Sequence, residues 1–235
     1  MHGNLQLWLA APEAAQHFDP ARLTELERVR LARLRRAIKR KEFAVSRALR
    51  AHVQGNARHP VSESLSHSGG FAALALADTA LRIGVDLEVH RPRDVLATAR
   101  TAFSEFEARA LEDAAHPERE RLFYAMWTVK EALAKALQLH LLEALRSCVL
   151  LVDGSQWQVR APTVSAGCVA VYQPRADVTL AIASIGESPA IECWSWPPQQ
   201  LASWPLIAAI SLAGAAAPAA TDRESAAAAR AAAPA

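Results

Sequence analysis

Cysteine is nearly missing from this chain: three in 235 residues, at Cys148, Cys168 and Cys193. They are too few and too scattered for a disulfide scaffold, and none forms a Cys-x-x-Cys pair with metal-ligand spacing. Glycine is also sparse, at nine residues. None falls into Gly-x-Gly-x-x-Gly or Gly-x-x-x-x-Gly-Lys-Ser/Thr, so the common nucleotide-binding folds have no support. Gly-x-Ser-x-Gly is missing too, which weakens a hydrolase reading. Aromatic residues make up 6% of the chain and the net charge is only +2. Without an aromatic stacking platform beside its arginines, the chain does not read as a nucleic-acid binder. The apolar stretch 201–217 falls short of the roughly 20 residues of a membrane helix and contains Pro205, so no membrane span is expected. The first twenty residues lack the basic and apolar regions of an export signal, and a reducing cytoplasmic setting is the expectation.

What the chain does have is apolar mass. Apolar residues are 51% of the total, enough for a buried core, and the length suits one large domain or two small ones. Residues 5–9 alternate like a strand. Residues 23–53 place Leu23, Leu26, Val29, Ile38, Val45, Leu49 and Val53 at helical spacings, with a dense series of arginines and lysines between them. Most of that charge reads as solvated surface, although a compact subset has the chemistry to grip a phosphate. Gly55, Asn56 and Pro60 mark a loop. Residues 71–76 and 81–87 read as strands joined by a turn at 77–79. Residues 97–115 read as a helix in which Ser104 and Glu107 have capping-box spacing. A second helix spans 118–138, started by Pro117 and buried through Phe123, Met126, Trp127, Leu133 and Leu137. Strand-like runs follow at 147–152, 157–159, 167–172 and 178–185. Beyond Glu187, Pro189, Pro197, Pro198 and Pro205 argue against regular structure. Residues 188–235 therefore read as a loosely packed, Pro/Ala-rich extension with a disordered end.

Three short segments carry chemistry. In Gly84-Val85-Asp86-Leu87-Glu88 an extended backbone puts Asp86 and Glu88 on one face, where they repel unless a cation lies between them. Alone, the pair could equally be two solvated acids at a strand end. In Trp127-Thr128-Val129-Lys130-Glu131-Ala132-Leu133-Ala134-Lys135, Glu131 and Lys135 are helical neighbours, which by itself describes an ordinary surface ion pair. Trp127, four residues earlier, reads as a core anchor. Ser66-His67-Ser68-Gly69-Gly70 reads as a polar loop able to offer hydroxyl, imidazole and backbone N–H groups to a phosphate, although a lone loop histidine is more often simply exposed.

Taken in order, Ser-His-Ser-Gly, Gly-Val-Asp-Leu-Glu and, about forty residues later, Trp-Thr-Val-Lys-Glu-Ala-Leu-Ala-Lys resemble the 4'-phosphopantetheinyl transferases. The likeness is greatest to their long, single-chain Sfp-type branch. Residues 40–49 resemble that family's first long helix, and the likeness covers roughly 5–185. It implies an α+β fold of two similar halves related by a pseudo-twofold, 1–85 and 86–187, with the active site in the cleft between them and a monomer that is a pseudo-dimer in one chain. It implies transfer of the phosphopantetheine arm of coenzyme A to a serine of an acyl or peptidyl carrier protein, releasing adenosine 3',5'-bisphosphate. Carriers of fatty-acid, polyketide and non-ribosomal peptide synthesis are not distinguished. On this resemblance Asp86, Glu88 and Glu131 would bind Mg²⁺, and Glu131 would also serve as the base. Lys135 would stabilise the transition state, Ser66 would bond the pyrophosphate, and His67 would hold the 3'-phosphate. Arg30 and Arg40 match basic positions near phosphate. Lys130 matches the motif and would lie near substrate phosphate or on the surface.

Two departures stand out. The connection from Arg50 to Ser66 lacks the family's Gly-Lys-Pro stretch. The Gly-x-Gly-Leu turn after the last motif lysine is replaced by Ala-Leu-Gln-Leu-His-Leu-Leu, so the helix is expected to run on. The alternative to an active enzyme is therefore a catalytically weakened module of the same fold that binds carrier proteins.

Overall fold

Alternation in the first strand, β1 (Asn4–Ala10), buries Leu5, Leu7 and Leu9 on one face and Trp8 on the other. The computed structural model describes residues 4–56, 62–77, 80–153, 156–162, 164 and 166–212. Two short 3-10 turns (Pro12–His17 and Pro20–Arg22) lead from β1 to α1 (Glu25–Arg33) and α2 (Ala37–Asn56). The expected helix 23–53 is thus two helices. A Thr24–Glu27 capping box starts α1, which buries none of its residues and leaves Leu26 83% exposed. Helix α1 meets α2 through a polar contact, Arg47 Nε to Glu27 Oε1 at 2.6 Å, whereas Val45, Leu49 and Val53 anchor α2 in the core.

Next come β2 (Ser62–Ser68), β3 (Phe71–Ala77) and β4 (Arg82–Val89). The expected loop at Ser66–Ser68 is therefore strand, followed by a Gly69–Gly70 turn with φ of +58° and +89°. Helices α3 (Val95–Ala102) and α4 (Glu105–Asp113) replace the single helix expected at 97–115, because Ser104 caps α4 from within that stretch. Then follow α5 (Glu118–Leu137), α6 (Leu141–Ser147), β5 (Val149–Asp153), β6 (Gln156–Arg160), β7 (Gly167–Arg175) and β8 (Val178–Ile185). The chain closes with β9 (Ala190–Trp196), β10 (Gln200–Leu201) and β11 (Leu206–Ser211).

The strands form two larger sheets, β10-β9-β1-β3-β2 and β11-β7-β8-β4, beside a β5–β6 hairpin. The same unit occurs in both. A strand, a long helix and an antiparallel pair lie in the order first, last, middle: β1-β3-β2 with α2, and β4-β8-β7 with α5. This α+β repeat is carried by topology. The sheets face each other across Leu5, Leu7, Ala75, Val85, Leu180 and Ile182. Helix α2 covers the far side of the first sheet, and α5 covers the far side of the second. Fully burying each leucine of the middle layer stabilises the fold by about 1.5–3 kcal/mol.

Strands β3 and β4 belong to different sheets, and the expected boundary after Val85 falls within β4. The segment after Glu187 is also not loose as far as Leu212. Strand β9 runs parallel to β1, from Asn4 opposite Ala190 to Ala10 opposite Trp196, and β11 pairs antiparallel with β7. The four prolines stand at the ends of these strands, where no ladder N–H is lost. The expected disordered end, in the Ala/Pro-rich stretch 215–235, and the turn residues 78 and 79 lie outside the described residues. Among the described residues no helix is long and apolar enough to cross a membrane.

Candidate active site

Strand β4 lies at the edge of its sheet, and its free side is stitched to β2 by serine side chains. Alternate residues Ser64, Ser66 and Ser68 share one face of β2, as the period of an extended chain requires. Ser64 Oγ accepts the Val85 N–H at 2.9 Å, and Ser68 Oγ accepts the Val89 N–H at 3.3 Å. Ser66 Oγ donates to Asp86 Oδ1 at 2.9 Å, and Ser68 Oγ donates to Glu88 Oε2 at 2.8 Å. The Ser66 hydroxyl, expected near the pyrophosphate, thus stands beside the Asp86 carboxylate. Val85 and Leu87 point the opposite way, into the inter-sheet core.

Helix α5 is buried on nearly every side and leaves a half-open stripe at Trp127, Glu131 and Lys135. Gly84 brings this stripe onto β4. A Cβ there would stand 2.0 Å from the Ala132 carbonyl oxygen and 2.6 Å from the Ala136 nitrogen. The motif glycine therefore permits backbone contact between helix and strand. As a result Lys135 Nζ donates to the Val85 carbonyl at 2.7 Å and to Asp86 Oδ1 at 2.9 Å. Carboxylate oxygens of Asp86, Glu88 and Glu131 lie within 4.8 Å of one another.

That cluster is electrostatically incomplete. Burial, then the charges of Asp86 and Glu88, push the Glu131 pKa up to about 7, against the partial relief of Lys135. Burial also raises Glu88, and the Ser68 hydrogen bond only partly opposes it. Asp86 Oδ2 is buried with no hydrogen-bond partner. An unpaired carboxylate oxygen in the interior is costly. A hard divalent cation bound by three carboxylates would satisfy it, and the all-oxygen donor set suits Mg²⁺. The residues present therefore fit the metal that the resemblance implies. A cavity of about 320 Å³, lined by Glu131, Ala134, Lys135, Gln138, Leu139 and Leu141, adjoins the site.

The end of α5 departs from expectation. The helix stops at Leu137 because Gln138 takes the left-handed conformation, φ +56° and ψ +34°, and the Leu139 N–H returns to the Ala134 carbonyl at 2.9 Å. This is a Schellman-type stop made by a residue other than glycine. Helix α6 begins only at Leu141.

Lys130 is corrected more sharply. It is fully buried, pairs with Glu107 Oε1 at 2.9 Å, and donates to the carbonyls of Leu145, at 2.8 Å, and Cys148. Glu107 in turn caps α4 and accepts the Leu150 N–H. Burial lowers the Lys130 pKa, and Glu107 counters this. Lys130 clamps α4, α5 and α6 together and cannot reach a substrate phosphate. Trp127 packs against Phe103 and Phe123, as a core anchor would.

The expected phosphate-binding residues form a separate corner. His67 is half-buried, with Nδ1 3.3 Å from Glu42 Oε2. Its pKa is lowered by burial and raised by Glu42, and the charges of Lys39 and Arg30 act on it as well. Arg30 is exposed on α1. Arg40 Nε instead donates to the Leu34 carbonyl at 2.7 Å, tying off the end of α1. Sequence reasoning missed Ser68, Gly84 and Glu42. The period of two from Ser66 pointed to Ser68, the motif itself contained Gly84, and Glu42 stood out as an acid in a basic helix.

Comparison with known proteins meets this site at its centre. Residues 82–183 match the family model of the 4'-phosphopantetheinyl transferase superfamily. The chain is 40% identical over 77 residues to the 4'-phosphopantetheinyl transferase AcpT of Salmonella typhi, covering 32% of this chain and 40% of that protein. It is 39% identical over 77 residues to AcpT of Escherichia coli K12, covering 32% of this chain and 39% of that protein. The chain spans about two fifths of the length of these curated relatives. The family match includes β4 and α5, the two elements that bear the carboxylates.

Proposed function

We propose that the protein transfers the phosphopantetheine arm of coenzyme A to a serine of an acyl or peptidyl carrier protein, with Mg²⁺, as an enzyme of the Sfp-type branch releasing adenosine 3',5'-bisphosphate. The observation that carries this reading is the convergence of Asp86, Glu88 and Glu131 around the unpaired Asp86 Oδ2, with Lys135 alongside. When bound, Mg²⁺ neutralises charge on the pyrophosphate oxygens and on the leaving group. Asp86 and Glu88 are oriented for that ion by Ser66 and Ser68. Glu131, with its affinity for protons near neutrality, is suited to take the proton of the carrier serine hydroxyl. Lys135 supplies a fixed positive charge where negative charge accumulates in the transition state. Arg30, with the His67 ring beside it, supplies a basic corner for the 3'-phosphate. The three cysteines are free thiols, in keeping with a reducing, cytoplasmic setting.

The test is intact-mass analysis of an acyl and a peptidyl carrier protein, each incubated with coenzyme A, Mg²⁺ and the enzyme. A carrier gains the arm with the wild type and not with Asp86→Ala or Glu131→Ala, while far-UV circular dichroism stays unchanged. Modification retained in both variants rejects the metal assignment. Carrier binding with no mass gain and no calorimetric response to coenzyme A replaces the enzyme with the non-catalytic docking module.

A further inference from the structure

Glu42 is a fully buried carboxylate in the most basic helix of the chain. Its Oε1 accepts the Gly69 N–H at 2.9 Å, and its Oε2 takes Lys39 Nζ at 2.7 Å and faces His67 Nδ1 at 3.3 Å. Taking a carboxylate out of water costs several kcal/mol unless its oxygens are fully engaged. An apolar side chain would fill this position of α2 at lower cost, so the acid calls for a reason beyond packing. The arrangement supplies one. The carboxylate is innermost, and the basic side chains around it face outward, Lys39 with 45% and His67 with 29% of the side chain exposed. Arg30 contributes its charge at the same corner.

The corner is also stiff. Gly69 has no room for a side chain, because a Cβ would lie 2.6 Å from Val89 Cγ2. The turn held by Glu42 is thus packed onto β4 one residue from Glu88. Nδ1 of the ring is buried on the Glu42 side with no hydrogen-bond partner, while the side chain remains partly exposed. A lysine and an arginine charge against one carboxylate, with the His67 ring beside them, suit a phosphate dianion.

We propose that Glu42 is a positioning residue: it orients His67 and the Gly69 turn and thereby makes the protein selective for a donor bearing a 3'-phosphate. This rests on the reading of His67 as a 3'-phosphate ligand. The experiment compares coenzyme A with 3'-dephospho-coenzyme A as donors for wild type, Glu42→Gln, Lys39→Gln and His67→Ala. Glu42→Gln keeps the shape and the acceptor for Gly69 and removes the charge. It raises KM for coenzyme A about tenfold, the scale of one charge-assisted hydrogen bond, with kcat within about twofold. KM for the dephospho donor stays at the wild-type value.

A merely structural role would raise both KM values together or lower kcat, and either result overturns the proposal. If Glu42→Gln fails to fold, Lys39→Gln on the exposed side carries the same test: the ratio of the two KM values falls toward one, and an unchanged ratio overturns the proposal. His67→Ala separates the two levels. A ratio unchanged in His67→Ala defeats the histidine reading itself. A ratio lost in His67→Ala yet intact in Glu42→Gln defeats the role of Glu42 alone.

Discussion

Replacing Glu131 by glutamine in the metal-free protein isolates the cost of crowding three acids. The Glu131 carboxyl is driven from 4.5 to about 7, first by burial and then by Asp86. The folded state therefore holds the proton more tightly than the unfolded chain. The stability this contributes is fully present below about pH 4.5 and is lost as pH rises through about 7. Fully retained, the difference is worth about 3 kcal/mol, and partial solvent access reduces it to about 1–2 kcal/mol. Glu131→Gln preserves the shape without the charge. With chelator present it should match wild type near pH 4.5 and exceed it by about 1–2 kcal/mol at pH 8, or roughly 2–8 °C in Tm for a chain of this size. Added Mg²⁺ then reverses the order. An ion at a hundred times its Kd stabilises wild type by about 2.7 kcal/mol, and the variant, lacking one ligand, gains far less. Urea unfolding followed by tryptophan fluorescence at both pH values, with and without Mg²⁺, reads all of this. A variant less stable than wild type at pH 8, or a difference that does not change with pH, refutes the reasoning. So does equal stabilisation of both proteins by the ion.

Gln138→Gly relieves a left-handed residue at the end of α5 and should raise stability by about 0.5–1 kcal/mol in thermal unfolding. Gly84→Ala forces a methyl group against the α5 backbone and should cost more than about 3 kcal/mol by overpacking, with carrier modification lost at temperatures where circular dichroism still reports folded protein. Lys130→Met leaves the Glu107 carboxylate buried and unpaired, a loss of about 3–5 kcal/mol. It should appear as a lower Tm with KM for coenzyme A unchanged, and weaker coenzyme A binding at normal stability would return Lys130 to the substrate. Ser66→Ala removes one hydrogen bond to an ionised carboxylate, about 1.5–3 kcal/mol, and should show as a higher Mg²⁺ requirement in the transfer assay.

What was legible in the sequence is what depends on a single element. The spacing of four places Trp127, Glu131 and Lys135 on one stripe of α5, and the period of two pairs Asp86 with Glu88. Both patterns are local, and both appear in the structure. What failed depended on the partner of an element. The serines of β2 looked like a loop because no apolar face marks them, yet their hydroxyls meet the edge amides and the acids of β4. Lys130 looked solvent-facing because lysine usually is, while α5 is covered on the side where Glu107 waits. The prolines after Glu187 looked like breakers, yet they stand at the ends of strands that only exist because β1 and β7 offer edges to them.

The repeated unit explains why the site itself is scattered along the chain. Each unit presents a first strand, a covering helix and a hairpin, but the two are chemically unequal. The second contributes acids from β4 and α5; the first contributes hydroxyls from β2 and cations from α1 and α2. Neither set is complete alone, since three carboxylates without cations repel and an arginine-rich helix without a buried acid has no fixed geometry. The two meet where β2 lies along β4, and there Ser66 to Asp86, Ser68 to Glu88 and Glu42 to Gly69 hold them in register.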